Sequence, residues 1–222
     1  MVTSELLPEG YADRLAQVKA DVNQLDHLIV FLTGPDDIES LFPESGDLIL
    51  DPGTRHVGQG TRNRRVIFDD CYVELVWVDS PVEARASGLH FEDRCMGAAC
   101  PFGVVFRGRD PDVPGFVQYT VPDGPTLKIM DDPCSPFVAV YGVDHLDGKK
   151  RIRRKDHQGY LYLNSAHMAH AVISVARFPP DIGVSRVAFV NGSPGLSLTL
   201  AGLPGSLRLA RGDGPPVNWR RW

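Results

Sequence analysis

A glutamate inside an apolar run constrains this chain more than any other feature. Glu74 sits in Cys71-Tyr72-Val73-Glu74-Leu75-Val76-Trp77-Val78. The run is short and rich in β-branched and aromatic residues, which predicts a largely buried strand. An ionised carboxylate there costs roughly several kcal/mol unless it is paired or coordinates a metal. A second such run, Leu25-Asp26-His27-Leu28-Ile29-Val30-Phe31, carries a histidine in a comparable setting. Two ligand-type side chains on two buried strands are the seed of a site. The blander alternative pairs Glu74 with Arg62, Arg64 or Arg65 and makes His27 a satisfied core histidine.

The 222 residues suffice for one large domain or two small ones. A formal net charge of −5 speaks against a broad nucleic-acid surface, which usually shows a basic excess. The 22 glycines and 18 prolines, set among so many strand-like runs, indicate many turns. No apolar run approaches the roughly 18 residues of a membrane span. Residues 1–10 lack a basic start and an apolar core, so no signal peptide is expected and the chain reads as cytoplasmic. Cys71, Cys95, Cys100 and Cys134 lack zinc-site spacing and read as reduced thiols.

Tyr11, Leu15, Val18 and Val22 recur at helical spacing and predict an amphipathic helix before the first strand. Pro35 followed by Asp36, Asp37 and Glu39 predicts a short helix start after residues 25–32. Strands are expected at 63–68 and 71–78, then at 102–107, 116–121, 126–130 and 137–141. Further strands are expected at 169–176, 184–190, 196–200 and 207–210. Helices should therefore concentrate in the first 45 residues. The run 149–155 holds six basic residues in seven; it could contact anions, though such runs are more often solvated loops. Residues 212–222 read as a tail docking through Trp219 and Trp222.

His27 and His170 each open an apolar strand followed by a Pro-containing turn. This echo suggests two modules, the second degenerate. The division expected is a helical extension over 1–24, a first βαβββ-type module over 25–80 and a strand-rich connection over 81–160. A second module over 161–211 and a tail over 212–222 complete it. Gly58-Gln59-Gly60 is no dinucleotide fingerprint, because the third glycine position holds Asn63 and no βαβ unit surrounds it. His167 and His170 lie three apart, so on a regular strand only one could face a buried site.

Three segments occur in an informative order: Leu25-Asp26-His27-Leu28-Ile29-Val30, then Arg55-His56 leading through Gly60-Thr61 to Asn63, then Tyr72-Val73-Glu74-Leu75. Over residues 25–80 they resemble the glyoxalase-like branch of the vicinal oxygen chelate superfamily; Pro136-Phe137-Val138-Ala139-Val140 resembles a strand start of that branch. The resemblance implies an α+β fold of paired βαβββ modules, forming a curled, cup-like mixed sheet around a metal or small ligand. It assigns metal positions to His27 and Glu74 and, by module symmetry, to His170. Two histidines and a carboxylate suit a divalent ion such as Fe, Mn, Ni or Zn. Where a second carboxylate is expected, the sequence has Arg208, which could instead pair with Glu74 or hold a substrate anion.

The leading expectation is a metalloenzyme of isomerase, lyase or ring-cleaving dioxygenase chemistry acting on a small organic molecule. His56 or Glu74 would be the base, and Asn63, Tyr72, Trp77 and Arg208 would contact substrate. The alternative is a metal-free binding or biosynthetic protein using the same cup, lined by Tyr72, Trp77, Phe106, Tyr119 and Asn63. A third reading, a protein contact through the basic run, explains the buried charges less well. The partners expected are a small-molecule substrate, with no nucleic acid and no membrane; a homodimer is left open.

Overall fold

The computed structural model describes residues 23–42, 47–109, 111, 113–122, 124–142, 162–181, 183, 186–202, 206–211 and 219–221. The expected helix over 11–22, the basic run 149–155 and Trp222 lie outside these. The described chain runs β1 (Gln24–Phe31), α1 (Asp36–Leu41), β2 (Arg55–His56), β3 (Thr61–Ile67), β4 (Tyr72–Val78), α2 (Pro81–Ala86) and α3 (Phe91–Met96). Then follow β5 (Phe102–Arg107), β6 (Val117–Thr120), β7 (Thr126–Met130) and β8 (Phe137–Tyr141). The last strands are β9 (His167–Val175), β10 (Val187–Asn191), β11 (Gly195–Ala201), β12 (Ser206–Arg211) and β13 (Trp219–Arg221). Strand dominates, as an α+β chain with these alternating apolar runs should show. Trp219, expected to dock a tail, begins a strand that pairs antiparallel with β12.

Eight strands form one strongly curled sheet in the order β2-β3-β4-β1-β5-β8-β7-β6. Its two halves repeat one pairing scheme. β1 pairs parallel with β4, which continues antiparallel into β3 and β2. β5 likewise pairs parallel with β8, which continues antiparallel into β7 and β6. The halves join through the antiparallel β1–β5 pair. The strands matching 25–78 are therefore those of 102–141, not those of 161–211. The His27/His170 echo misled because a histidine opening a strand recurs without the pairing that defines a module. Strands β9 to β13 instead build a separate sheet, in the order β10-β9-β11-β12-β13.

The period of two along each strand gives the curled sheet two faces. Leu28, Val30, Val73, Leu75, Trp77, Val104, Phe106 and Val138 belong to one core, with Met168, Ala171, Ile173, Leu196, Leu198, Leu207 and Leu209 of the second sheet. Ile29, Phe31, Val76, Val105, Phe137 and Ala139 form the other face with Phe91 and Cys95 of α3. The second sheet thus covers one face and leaves the other to enclose a cavity.

Two of the three described helices lie at 81–96, beyond the region where helices were expected. Ser80 caps α2 by accepting from the Glu83 N–H, and Pro81 occupies its first turn, where a missing N–H costs nothing. α3 is fixed by Arg94, fully buried, which donates to Asp131 (2.7 Å) and to the Cys100, Ser135 and Asp132 carbonyls. All four cysteines are free. Among the described residues, no helix is long and apolar enough to cross a membrane.

Candidate functional site

Parallel pairing of β1 with β4 sets His27 beside Tyr72, and Ile29 beside Glu74. Antiparallel pairing with β3 sets Arg65 beside Glu74, and Asn63 beside Val76. The side chains of His27, Asn63, Tyr72 and Glu74 all enter the cavity enclosed by the curl, which has a volume of about 250 Å³. His56 on β2 enters it as well. A larger hollow of about 730 Å³ lies against His90, Asp131 and Arg177, but none of the expected site residues lines it.

His27 is held from both sides. Its Nδ1 lies 2.8 Å from Asp26 Oδ1, and its Nε2 lies 3.4 Å from Glu74 Oε2. A bulge between Leu25 and His27 lets two consecutive residues both serve this cluster. Asp26 in turn accepts from the buried Arg107 Nε. The Tyr72 ring stacks on the imidazole with centroids 4.4 Å apart. Burial by itself would lower the His27 pKa, but the Asp26 hydrogen bond and the negative charges of Asp26 and Glu74 outweigh it and raise it to about 9. Burial would raise both carboxylates. His27 and Arg107 instead hold Asp26 down at about 2, and His27 holds Glu74 well below the usual range. Tyr72 is pushed well up, by burial and by the charges of Asp26 and Glu74, so it stays a neutral phenol.

Asn63 organises the opposite side of Glu74. Its Oδ1 accepts from the Thr54 N–H at 2.7 Å, which fixes the orientation of the amide. The Nδ2 group then donates to Glu74 Oε1 and, at 3.1 Å, to His56 Nε2. His56 Nε2 is therefore an acceptor, and the proton sits on Nδ1, 2.9 Å from Thr61 Oγ1. The loop before β3 needs Gly53 at φ +71°, where a Cβ would lie 1.7 Å from the Asn63 carbonyl oxygen. Gly60 at φ +66° is equally tight: a Cβ there would meet Ala84 N at 2.2 Å. Opposite this loop, Gln59 Nε2 donates to Tyr119 Oη at 3.2 Å. That bond joins the β2–β3 connection to β6, across the two edges of the curled sheet.

Four expected placements fail. His170 is exposed on β9 of the second sheet and does not line the cavity. His167 is exposed too: pairing with β11 slips at Thr199/Leu200, and this irregularity cancels the alternation of the two histidines. Arg208 lies on β12, against a shallow groove with Val172, Ser174 and Ser197, and is remote from the cavity lining. Trp77 is three residues from Glu74, so it points to the opposite face, into the shared core; Phe106 does the same. Conversely, Asp26, Thr54, Gln59 and the aromatic end of the cavity (Phe31, Phe91 and Phe137) were not foreseen. A consecutive Asp-His pair in an apolar strand was the available signal for Asp26.

The donors that could approach a divalent ion are His27 Nε2, Glu74 and His56 Nε2. A separation of 3.4 Å between His27 and Glu74 suits two bonds of about 2 Å to one ion, and Asp26 behind Nδ1 orients the ring. The expected three-ligand set nevertheless does not fit. His170 is elsewhere, His56 Nε2 is engaged by Asn63, and the facing strands β5 and β8 present Val105, Ala139 and Tyr141. Among the described residues, no group of three or more His, Cys, Asp or Glu side chains has the spacing to hold a metal.

Comparison with known proteins bears on the same stretch. Residues 25–114 match the family model described as a glyoxalase-like domain. No curated protein gives a significant match. A hypothetical protein from Staphylococcus aureus is similar at 15% identity and TM-score 0.42, over 69% of this chain and 70% of that one. A hypothetical protein from Bacillus halodurans is similar at 15% identity and TM-score 0.37, over 54% of this chain and 94% of that one. The segment matched by the glyoxalase-like model is the one that supplies Asp26, His27, His56, Asn63, Tyr72 and Glu74.

Proposed function

We propose that the cavity binds a small organic molecule and moves a proton on it, in the manner of an isomerase or lyase of the vicinal oxygen chelate kind. The observation that carries this reading is the convergence of His27 Nε2 and the Glu74 carboxylate on one cavity, each held from behind by other groups. Their mutual distance of 3.4 Å is long for a hydrogen bond. The Nε2–H is therefore available to a ligand oxygen. In this reading His27 donates to a carbonyl oxygen and stabilises the enolate that forms as Glu74 takes the proton from the adjacent carbon. Returning that proton to a different atom completes an isomerisation. A carboxylate held so far down is a weak base in the empty cavity. A neutral ligand that separates it from His27 removes part of what holds it down, and so raises its basicity on binding. Asp26 fixes the ring, and Asn63 fixes the carboxylate.

The test is α-proton exchange in D₂O. Small neutral ketones and aldehydes are incubated with the protein and followed by NMR. Wild type should exchange their α-protons, while His27→Gln and Glu74→Gln should not, although all three fold. Absence of exchange across the panel by folded wild type defeats the catalytic reading. Metal content, measured with and without added Fe²⁺ or Mn²⁺, separates this chemistry from the metal-dependent alternative. Exchange that requires the added ion would favour the latter.

A further inference from the structure

We infer that the ligand of this cavity is electrically neutral, with an apolar ring or short chain at one end and a single hydroxyl or carbonyl group at the other; the inference rests on the binding role proposed above. The charges around the cavity are already matched. Glu74 faces His27, and Asp26 lies between His27 and Arg107. Arg65, which also lines the wall, donates from Nε to Asp51 Oδ2 at 2.6 Å and from its backbone N–H to Oδ1 at 2.7 Å. Arg94 sits behind the aromatic end, 5.8 Å from the Phe31 and Phe137 ring centroids, and is bonded to Asp131. An entering carboxylate or phosphate would thus lose its hydration without gaining a cation that is not already neutralised, which is unfavourable by several kcal/mol, roughly. A neutral imidazole would leave the cavity more negative still, which excludes anions as strongly and makes benzylamine the probe that reads the charge on His27.

The shape divides the ligand in the same way. His27, Tyr72 and Glu74 face in near one end of β1 and β4, and Phe31 and Val76 near the other. At that far end the Phe91 ring lies 5.6 Å from Phe31 and 5.8 Å from Phe137, a packed aromatic wall. A volume of about 250 Å³ equals about eight waters at roughly 30 Å³ each, enough for one ring with a short substituent.

The experiment is calorimetric titration of the full chain at pH 7 with benzyl alcohol, benzaldehyde, benzoate, benzyl phosphate and benzylamine. The two neutral probes should bind at least tenfold more tightly than the three charged ones. Phe137→Ala should weaken the neutral probes, and Val105→Ala should admit a larger neutral ring. Benzoate or benzylamine binding as tightly as benzyl alcohol, and lost in His27→Gln, would overturn the neutrality argument while leaving the site intact. Failure of all five to bind a cooperatively melting wild type at millimolar concentration would instead overturn the binding site itself. Tight binding of benzoate only after Mn²⁺ is added would overturn neutrality by showing that an ion supplies the missing charge.

Discussion

His27 lies between two carboxylates, with Nδ1 2.8 Å from Asp26 and Nε2 3.4 Å from Glu74. A buried imidazole so placed is more stable charged than neutral, and this ties stability to pH. The His27 pKa is raised to about 9. The stabilisation from its charge is therefore complete below the unfolded value near 6.5 and is lost as pH rises through 9. Asp26 and Glu74 are lowered, so their contribution is present above the ordinary carboxylate range and is lost as pH falls below it. Denaturant unfolding should show a plateau between about pH 5 and 6.5 and a decline on the order of 3 kcal/mol toward pH 9. In Glu74→Gln the alkaline decline should shrink. A wild-type profile flat from pH 6 to 9.5 would show that His27 is not charged in the folded protein.

Asn63 both ties its own turn and fixes the carboxylate, because its two amide ends do different things. The Oδ1 end holds Thr54, and the Nδ2 end holds Glu74 and His56. Asn63→Ala should therefore reduce stability by about 2 kcal/mol, as expected for buried partners left unpaired, and should also weaken ligand binding. Asn63→Asp should be worse for binding, since it places a second carboxylate against Glu74. Equal binding by wild type and Asn63→Ala would confine the residue to a turn role.

Gly53 supports Asn63 from behind. At its φ of +71° a Cβ would come within 1.7 Å of the Asn63 carbonyl oxygen, which leaves no room for a side chain. Gly53→Ala should cost at least about 2 kcal/mol and displace the loop that carries Thr54, the partner of Asn63 Oδ1. Thermal melting and the His56 ring resonances would report the two effects separately. An unchanged melting temperature would contradict this packing.

Much of this arrangement was legible in the sequence because strands write their burial with a period of two. The strand runs from 63 to 141 were readable, and Glu74 with Tyr72, two residues apart, correctly shared a face. The same rule placed Trp77 on the other face, so its assignment to the cavity conflicted with the alternation already in hand. What could not be read was tertiary. Antiparallel joining of β1 to β5 makes residues 102–141 the second half of the cup, and no local pattern announces it. The slip between β9 and β11 that turns both His167 and His170 outward depends on a partner strand thirty residues away. Nothing local in the sequence pairs Arg107, at the end of a strand run, with Asp26; the fold brings them together.

His170 and Arg208 provide a negative control of the site. Both are exposed on the second sheet. His170→Ala and Arg208→Ala should leave ligand affinity within a factor of two and stability within roughly 0.5 kcal/mol, as for surface changes away from special features. His27→Ala should abolish binding. Loss of binding in His170→Ala, with melting unchanged, would return that residue to the site.

The last expectation concerns access. Gln59 and Tyr119 join the two edges of the curled sheet through a 3.2 Å hydrogen bond, and a Cβ on Gly58 would meet Pro122 at 2.5 Å. Both residues of the bond line the cavity, so a ligand that leaves between the two edges of the sheet must break it. Tyr119→Phe removes the phenolic acceptor and keeps the ring, so the apolar wall should survive. A neutral hydrogen bond contributes about 1 kcal/mol, which corresponds to a roughly fivefold change in rate if the bond must break before the ligand leaves. Ligand dissociation measured by NMR exchange or stopped flow should accelerate by about that factor in Tyr119→Phe. The melting temperature should move by no more than a few degrees. An unchanged dissociation rate in a variant that folds and binds would mean that the ligand leaves by another route and that this bond only trims the rim.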